Sequence, residues 1–353
     1  MMEEKKPLIG KTLDELQRVA TEGGMPRFVG KQLAHWLYVK QVDSFDKMIN
    51  LSKKNIAWLE ENYVVGREKP VKASKSADGT IKYLFNVGAG RDIESVWIPD
   101  HDRATLCVSS QVGCKMNCYF CATGKLGFKA NLTAAQIINQ ILSAPQGGGE
   151  DNGLTNVVFM GMGEPLDNFG EVLKVIEILT APWGMAWSPK RITVSTVGKL
   201  PQLKELIEKT KVHIALSLHT ADIEQRASMM PAEKAFPLQT VLKMLRSYDF
   251  SGQRRLSIEY IMWRGVNDDV AHAKMLVRML EGLDCRVNLI RYHAIGEGVD
   301  LHPCSEERMI MFRKILNQHG ITATIRTSRG EDIEAACGML AAGKKKDKPA
   351  GGR

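Results

Sequence analysis

The sequence predicts an α/β fold: a partial barrel of six βα units, preceded by a small N-terminal helical domain and a β-hairpin linker. Three observations carry this. From Thr105 onward, strand-like apolar runs alternate six times with helix-like runs and close on a seventh strand. Residues 1–63 show helix-period patterns. Residues 80–98 change to period two around a glycine turn.

In chain order, Thr12-Leu-Asp-Glu15 is a capping box that opens an amphipathic run to Ala20. A second helix is expected over 32–39, with Leu33, Trp36 and Leu37 on one face, and a third over 52–62. These three helices are too few for a large core of their own. Ile81, Tyr83 and Phe85 then alternate, Gly88-Ala-Gly90 turns, and Ile93 to Ile98 returns as a hairpin. Barrel strands are expected over 105–110, 156–162, 191–197, 212–219, 256–263, 286–293 and 322–327. The intervening helices are 132–143, 169–179, 200–208, 238–248, 270–283 and 306–319. Apolar strands such as Val157-Val-Phe and Ile214-Ala-Leu suit a parallel sheet covered on both faces. The division is 1–63 helical accessory domain, 64–99 hairpin linker, 100–340 barrel, and 341–353 basic tail expected to be disordered.

Of the 353 residues, 44% are hydrophobic and 25% charged, which excludes wholesale disorder. No apolar run approaches the ~18 residues of a membrane helix. The opening MMEEKKPLIGK lacks a secretory h-region, so a cytoplasmic protein without a membrane partner is expected. The net charge is +8, of which the tail supplies +4. The remaining excess is too weak to establish nucleic-acid binding. A local stripe between Arg67 and Arg91, including Lys72, Lys75 and Lys82, offers phosphate contacts or merely a solvated face.

Seven cysteines are present, an odd number, with Cys107, Cys114, Cys118 and Cys121 clustered. That argues against a secreted disulfide scaffold. Cys114-Lys-Met-Asn-Cys118-Tyr-Phe-Cys121 is C-x3-C-x2-C in the loop after the first barrel strand. A structural zinc site normally takes four ligands. Three thiolates suit three irons of a [4Fe–4S] cluster, leaving one iron open. The eight histidines include no close pair, and no zinc site is expected. Gly161-Met-Gly-Glu-Pro-Leu166 ends the second strand, where glycines let a ligand approach the backbone or simply make a tight turn. Ser195, Ser217, His219 and Asn288 fall at the carboxyl ends of later strands, where α/β barrels gather their sites. Met160 and Met162 are expected to pack, and Cys285 to be core.

The cysteine motif, with Phe120 in its aromatic position, resembles that of the radical S-adenosylmethionine (SAM) superfamily. Thr105-Leu-Cys-Val-Ser-Ser-Gln-Val-Gly113, Ile192-Thr-Val-Ser-Thr-Val-Gly198, Ser217-Leu-His219, Val287-Asn-Leu-Ile290 and Asp332-Ile-Glu-Ala-Ala-Cys-Gly338 extend the match. Together they resemble the RNA adenine-C2 methyltransferases (RlmN type), from the N-terminal helices through Leu340. The resemblance implies a [4Fe–4S] cluster on Cys114, Cys118 and Cys121. It implies SAM contacts from Gly163, Glu164, Ser195, Ser217, Leu218, His219 and Asn288. It implies that Cys337 is methylated by one SAM and that a radical from a second SAM takes hydrogen from that methyl. The carbon radical then adds to adenine C2. One electron is then lost, and Glu94, on a hairpin strand where a glutamate otherwise faces solvent, or else Cys107 if a nearby positive charge favours its thiolate, removes the C2 proton. Cys107 finally releases the product through a Cys107–Cys337 disulfide. The implied partners are 23S rRNA, tRNA and an external electron donor of flavodoxin type, and a monomer is expected.

Three departures from the family pattern stand out. Met230-Pro-Ala-Glu-Lys replaces Met-Pro-x-Asn, Arg291-Tyr-His293 replaces Pro-aromatic-Asn, and Met339 replaces a frequent Gln. The Arg-Tyr form is similar to the relative that methylates adenine C8 and confers antibiotic resistance, which leaves C8 as an alternative. A non-catalytic, cluster-containing RNA-binding protein is the other. Cys304 matches no family position.

Overall fold

The computed structural model describes residues 5–144, 153–296 and 298–342. Its first helix, α1 (Leu13–Glu22), opens on the predicted box: Thr12 Oγ accepts the Glu15 N–H and Glu15 accepts the Thr12 N–H. The second helical run begins earlier than expected. It is α2 (Val29–Ala34), continued by a wider turn over His35–Val39. Ser52 caps α3 (Lys53–Asn62).

Ten strands form one sheet. They are β1 (Lys72–Lys75), β2 (Ile81–Asn86), β3 (Asp92–Asp100), β4 (Arg103–Cys107), β5 (Asn156–Phe159), β6 (Ile192–Thr196), β7 (His213–Ser217), β8 (Leu256–Met262), β9 (Arg286–Arg291) and β10 (Thr322–Ile325). Their spatial order equals their chain order. From β4 to β10 the pairing is parallel, and from β1 to β4 antiparallel. The hairpin is therefore continuous with the barrel sheet and has a third strand, β1, at the edge. Lys72 and Lys75 on that edge have a structural use too, since edge charge discourages strand addition.

The outer helices are α4 (Ala122–Lys125), α5 (Ala134–Ser143), α6 (Phe169–Thr180), α7 (Leu200–Lys209), α8 (Ile223–Met229), α9 (Leu238–Leu245), α10 (Val270–Leu280) and α11 (Glu306–Gln318). Helix α8 was not legible in the sequence. The N-terminal helices sit against the α5 side. Asn139 exchanges two hydrogen bonds with the Glu68 backbone (2.8 and 3.0 Å), and Lys174 on α6 pairs with Glu15 at 2.9 Å.

Strand register fixes which side chains share a face, because in-register partners point the same way. Lys82 pairs with Val96, Val96 with Cys107, Cys107 with Val158, and Val158 with Thr193. Ser217 pairs with Glu259, Glu259 with Asn288, and Asn288 with Thr324. One face thus carries Lys82, Glu94, Cys107, Ser195, Ser217, Glu259, Asn288 and Thr324. The other carries Ile192, Val194, Ile214, Leu216, Val287 and Leu289, all 0% exposed. The expectation of strands apolar on both faces is corrected accordingly. The outer face is apolar, and the inner face is polar along the upper half of the strands.

The carboxyl ends of β6 and β7 are held by Arg226 of α8. Its guanidinium is fully buried, ion-paired with Glu233, and donates to the carbonyls of Val197, Ser217 and Leu218. Glu233 in turn accepts the Leu238 N–H. The glutamate that departs from the family pattern is therefore the counter-charge of a buried cation. Removing one member of such a pair strands the other. Arg226→Met is expected to lower the unfolding free energy by about 3–5 kcal/mol in urea titration; a loss below about 1 kcal/mol would contradict this assignment.

Candidate active site

Two apolar clusters meet at the top of the barrel. The smaller contains Cys114, Met116, Cys118, Phe120, Val197, Met230, Ile261 and Trp263. Phe120 lies edge-on to His219 (centroids 4.9 Å) and 5.0 Å from Trp263. The aromatic residue of the cysteine motif thereby packs on the end of β7. His219 adopts a left-handed conformation (φ 61°), and its Nδ1 accepts the Ile261 N–H at 3.2 Å. The ring proton therefore sits on Nε2. Burial, with Arg226 second, pushes its pKa down to about 3.

Below this, the inner face carries a connected polar row. Ser195 and Ser217 hydroxyls are 3.5 Å apart, Asn288 Nδ2 donates to Glu259 Oε1 (2.8 Å), Ser257 Oγ donates to the same oxygen (2.8 Å), and Thr324 donates to Asn288 Oδ1 (3.1 Å). Glu259 is buried, and burial raises its pKa. Glu164 is 4% exposed; Leu166 and Val197 N–H groups donate to its two oxygens at 3.1 and 3.0 Å. Burial lifts its pKa to about 7 against these bonds.

The C-terminal segment crosses this site. Ala122 N–H donates to the Gly338 carbonyl (2.8 Å) and Thr123 Oγ to the Leu340 carbonyl (2.7 Å), which anchors Cys337 beside the cysteine loop. Gly338 is left-handed (φ 83°), and a Cβ there would lie 3.4 Å from the Phe120 carbonyl. Cys337 is exposed, and desolvation and then Glu259 raise its pKa. Cys107 is buried, and a Cys337 thiolate would lie close enough to raise its pKa further.

Residues 108–277 match the radical SAM superfamily, and residues 7–65 match the ribosomal RNA large subunit methyltransferase N-terminal domain. A protein of Bacteroides thetaiotaomicron named "probable dual-specificity RNA methyltransferase RlmN" is 57% identical over 346 residues, 98% of this chain and 99% of that one. A "dual-specificity RNA methyltransferase RlmN" of Syntrophobacter fumaroxidans is 42% identical, covering 94% and 96%. The chain belongs to the RlmN family of radical SAM proteins. A radical SAM methyltransferase from Sphaerobacter thermophilus shares the fold, with TM-score 0.88, 39% identity and coverage of 95% and 99%.

The radical SAM superfamily implies a [4Fe–4S] cluster and SAM, and the donor set here fits a cluster. Among the described residues, no three His, Cys, Asp or Glu side chains are placed to hold a single metal ion. A cluster instead spreads its thiolates over separate irons. Burial raises the pKa of Cys114, Cys118 and Cys121, and at Cys118 the other two raise it further. Three crowded thiols of this kind ionise only against a cation such as cluster iron.

Several expectations from the RlmN pattern change at atomic detail. Burial and then Cys337 push the Cys107 pKa up, so its surroundings favour the neutral thiol. Glu94 is not solvent-facing: it is 7% exposed, pairs with Lys82 Nζ at 3.1 Å, and accepts the Ala341 N–H at 2.9 Å. Lys82 is consequently committed inside the protein, while Lys72 and Lys75 are exposed. Leu218 is fully buried, with its N–H on Glu259 and its carbonyl on Arg226, leaving no free polar group for a ligand. A Cβ on Gly163 would meet Gln111 Cβ at 2.5 Å, and one on Gly161 the Val108 carbonyl at 2.7 Å, so both glycines are required by protein packing before any ligand. Ala341 and Ala342 are ordered, while 343–353 lies outside the described residues. His293, another departure, contacts Glu331 (3.2 Å) and Ser328 (2.5 Å) and so supports the C-terminal segment.

Glu259, Arg226 and Lys82 were not found as site residues from sequence. The alternation Leu256-Ser-Ile-Glu-Tyr was the available signal for Glu259. For His219, a pKa lowered below its unfolded value means that stability is full above about pH 6.5 and is lost as pH falls toward 3. In His219→Asn that loss should disappear. The wild-type advantage in urea unfolding should shrink by about 1.4 kcal/mol per pH unit between pH 6 and 4.5. A constant difference across that range would contradict the assignment.

Proposed function

We propose that the protein methylates C2 of adenosine in 23S rRNA and in tRNA, in the cytoplasm and as a monomer, with electrons from an external flavodoxin-type donor. The observation that supports this most is the seating of Cys337 between the cysteine loop and buried Cys107. A protein that only bound RNA would need neither cysteine.

In this reading Cys114, Cys118 and Cys121 hold the cluster. Gly163, Glu164, Ser195, Ser217, His219 and Asn288 line the SAM site, with Leu218 contributing packing alone. When bound, these groups supply a methyl group and the one-electron chemistry that activates it. Cys337 Sγ accepts the methyl and presents its carbon to adenine C2, an electron-poor position that simple displacement does not reach. One electron leaves the ring adduct, for which the cluster would be the acceptor when bound, and Glu94 takes the C2 proton. Cys107 begins as a neutral thiol. As its sulfur attacks Cys337 Sγ, the S–S bond forms, the S–C bond breaks, and the thiol proton is available to complete the methyl left on RNA. An external reductant restores both thiols.

The N-terminal helices (1–63) and the hairpin region (64–99) are the proposed RNA grip, with Lys72 and Lys75 as phosphate contacts. Reversing both charges should weaken RNA binding and flatten its salt dependence; unchanged binding would leave them as edge-strand protection. The reaction itself is tested anaerobically with cluster-loaded protein, SAM, reductant and unmodified rRNA or tRNA fragments, followed by nucleoside mass spectrometry. 2-Methyladenosine is expected, absent in Cys337→Ala. Cys107→Ala should retain a protein–RNA adduct. 8-Methyladenosine would transfer the protein to the C8 reading, and no methylated adenine would remove the methyltransferase assignment.

A further inference from the structure

Glu94 and Lys82 do more than face the site. Lys82 Nζ bridges Glu94 Oε1 (3.1 Å) and the Glu334 carbonyl (3.1 Å), while Glu94 Oε2 accepts the Ala341 N–H (2.9 Å). These two side chains, only 15% and 9% exposed, therefore hold the segment carrying Cys337 at a point three residues before it and a point four residues after it. A second set of bonds fixes the start of the same segment. Asp332 accepts from Ser76 Oγ (2.6 Å) and the Ala77 N–H (3.2 Å), and Asp78 accepts the Gly330 N–H (2.9 Å). Gly330 and Glu334 are both left-handed (φ 65° and 54°), and a Cβ on Gly330 would come within 2.8 Å of Thr80 Cγ2. The tight path is paid for by these contacts.

We propose that the Glu94–Lys82 pair is a latch on the Cys337 segment, and that neutralising Glu94 opens it. A protonated Glu94 loses the charge that holds Lys82 and weakens as an acceptor for Ala341. Among the described residues, Lys82 is the cation in ion-pair contact with Glu94, and Cys107 is the titratable group on the adjoining strand of the same face. Resting on the proposed reaction, this gives an order to its late steps. The proton that leaves adenine C2 for Glu94 also frees the segment, so Cys337, already beside Cys107, gains the freedom to align its S–C bond for attack once the base has lost that proton. Lys82, Asp332 and Asp78 are then positioning residues.

The test does not require turnover. Cluster-loaded protein is treated with iodoacetamide under anaerobic conditions, and alkylation of the Cys337 peptide is followed by mass spectrometry. Glu94→Gln, a neutral isostere, and Lys82→Met should each speed Cys337 alkylation by about tenfold, as expected when charge-assisted bonds restrain local opening. Lys82→Arg should stay near wild type. Asp332→Asn, which lies at the exposed start of the segment, should also speed alkylation and guards against misfolding of the buried variants; iron content and thermal midpoint are measured for all. Unchanged alkylation in Glu94→Gln, or equal acceleration in Lys82→Arg and Lys82→Met, would overturn the latch. Faster alkylation in a protein that makes no methyladenosine would keep the latch and discard the proposed reaction.

Discussion

The site depends on one constraint: the C-terminal segment is clamped from two sides. The cysteine loop holds it through Ala122 and Thr123, and the hairpin holds it through Glu94, Lys82, Asp332 and Asp78. A net hydrogen bond contributes only about 0.5–1.5 kcal/mol, and one to a charged group about 1.5–3. No single bond therefore fixes the segment. Several together outweigh the entropy of ordering a loop with three left-handed residues, Gly330, Glu334 and Gly338, yet remain within reach of one protonation event. This is the balance expected of a segment that must hold a nucleophile still and later release it.

The sheet makes the clamp possible. Because the antiparallel hairpin continues the parallel barrel sheet in register, Lys82 and Glu94 share a face with Cys107 and with the polar row from Ser195 to Thr324. A one-residue slip at any pairing would turn these groups outward. The outer apolar face prevents that slip, since its side chains are buried only in this register. Arg226 adds a local brace at the strand ends nearest the cysteine loop, and its low tolerance for an unpaired state explains why a glutamate stands at position 233.

The βα alternation and the cysteine motif were legible in the sequence because both are local. Strand period, helix period and C-x3-C-x2-C are written within a few residues of one another. The hairpin was legible as two strands, but its attachment to the barrel was not, since that follows from Val96 meeting Cys107 in three dimensions. Glu94 looked solvent-facing for a related reason: the segment that covers it lies 247 residues away. Lys82 looked like a phosphate contact because charge alone does not reveal a buried partner. Glu259 sat unread in an alternating strand whose inward face becomes known only after six crossovers are placed. The two glycines at the end of the second strand left both ligand approach and a tight turn open in sequence, because the backbone and Gln111 side chain that crowd them come from the first strand's extension.

Mild oxidation without RNA tests the account most directly. The purified protein, loaded with its cluster, is treated with diamide and digested under non-reducing conditions, and its disulfides are mapped by mass spectrometry. If the clamp holds Cys337 beside Cys107, the linked Cys107–Cys337 peptide should be the dominant product. Cys337 joined instead to Cys285 or Cys304, or left reduced while other cysteines oxidise, would contradict the arrangement on which the site is built.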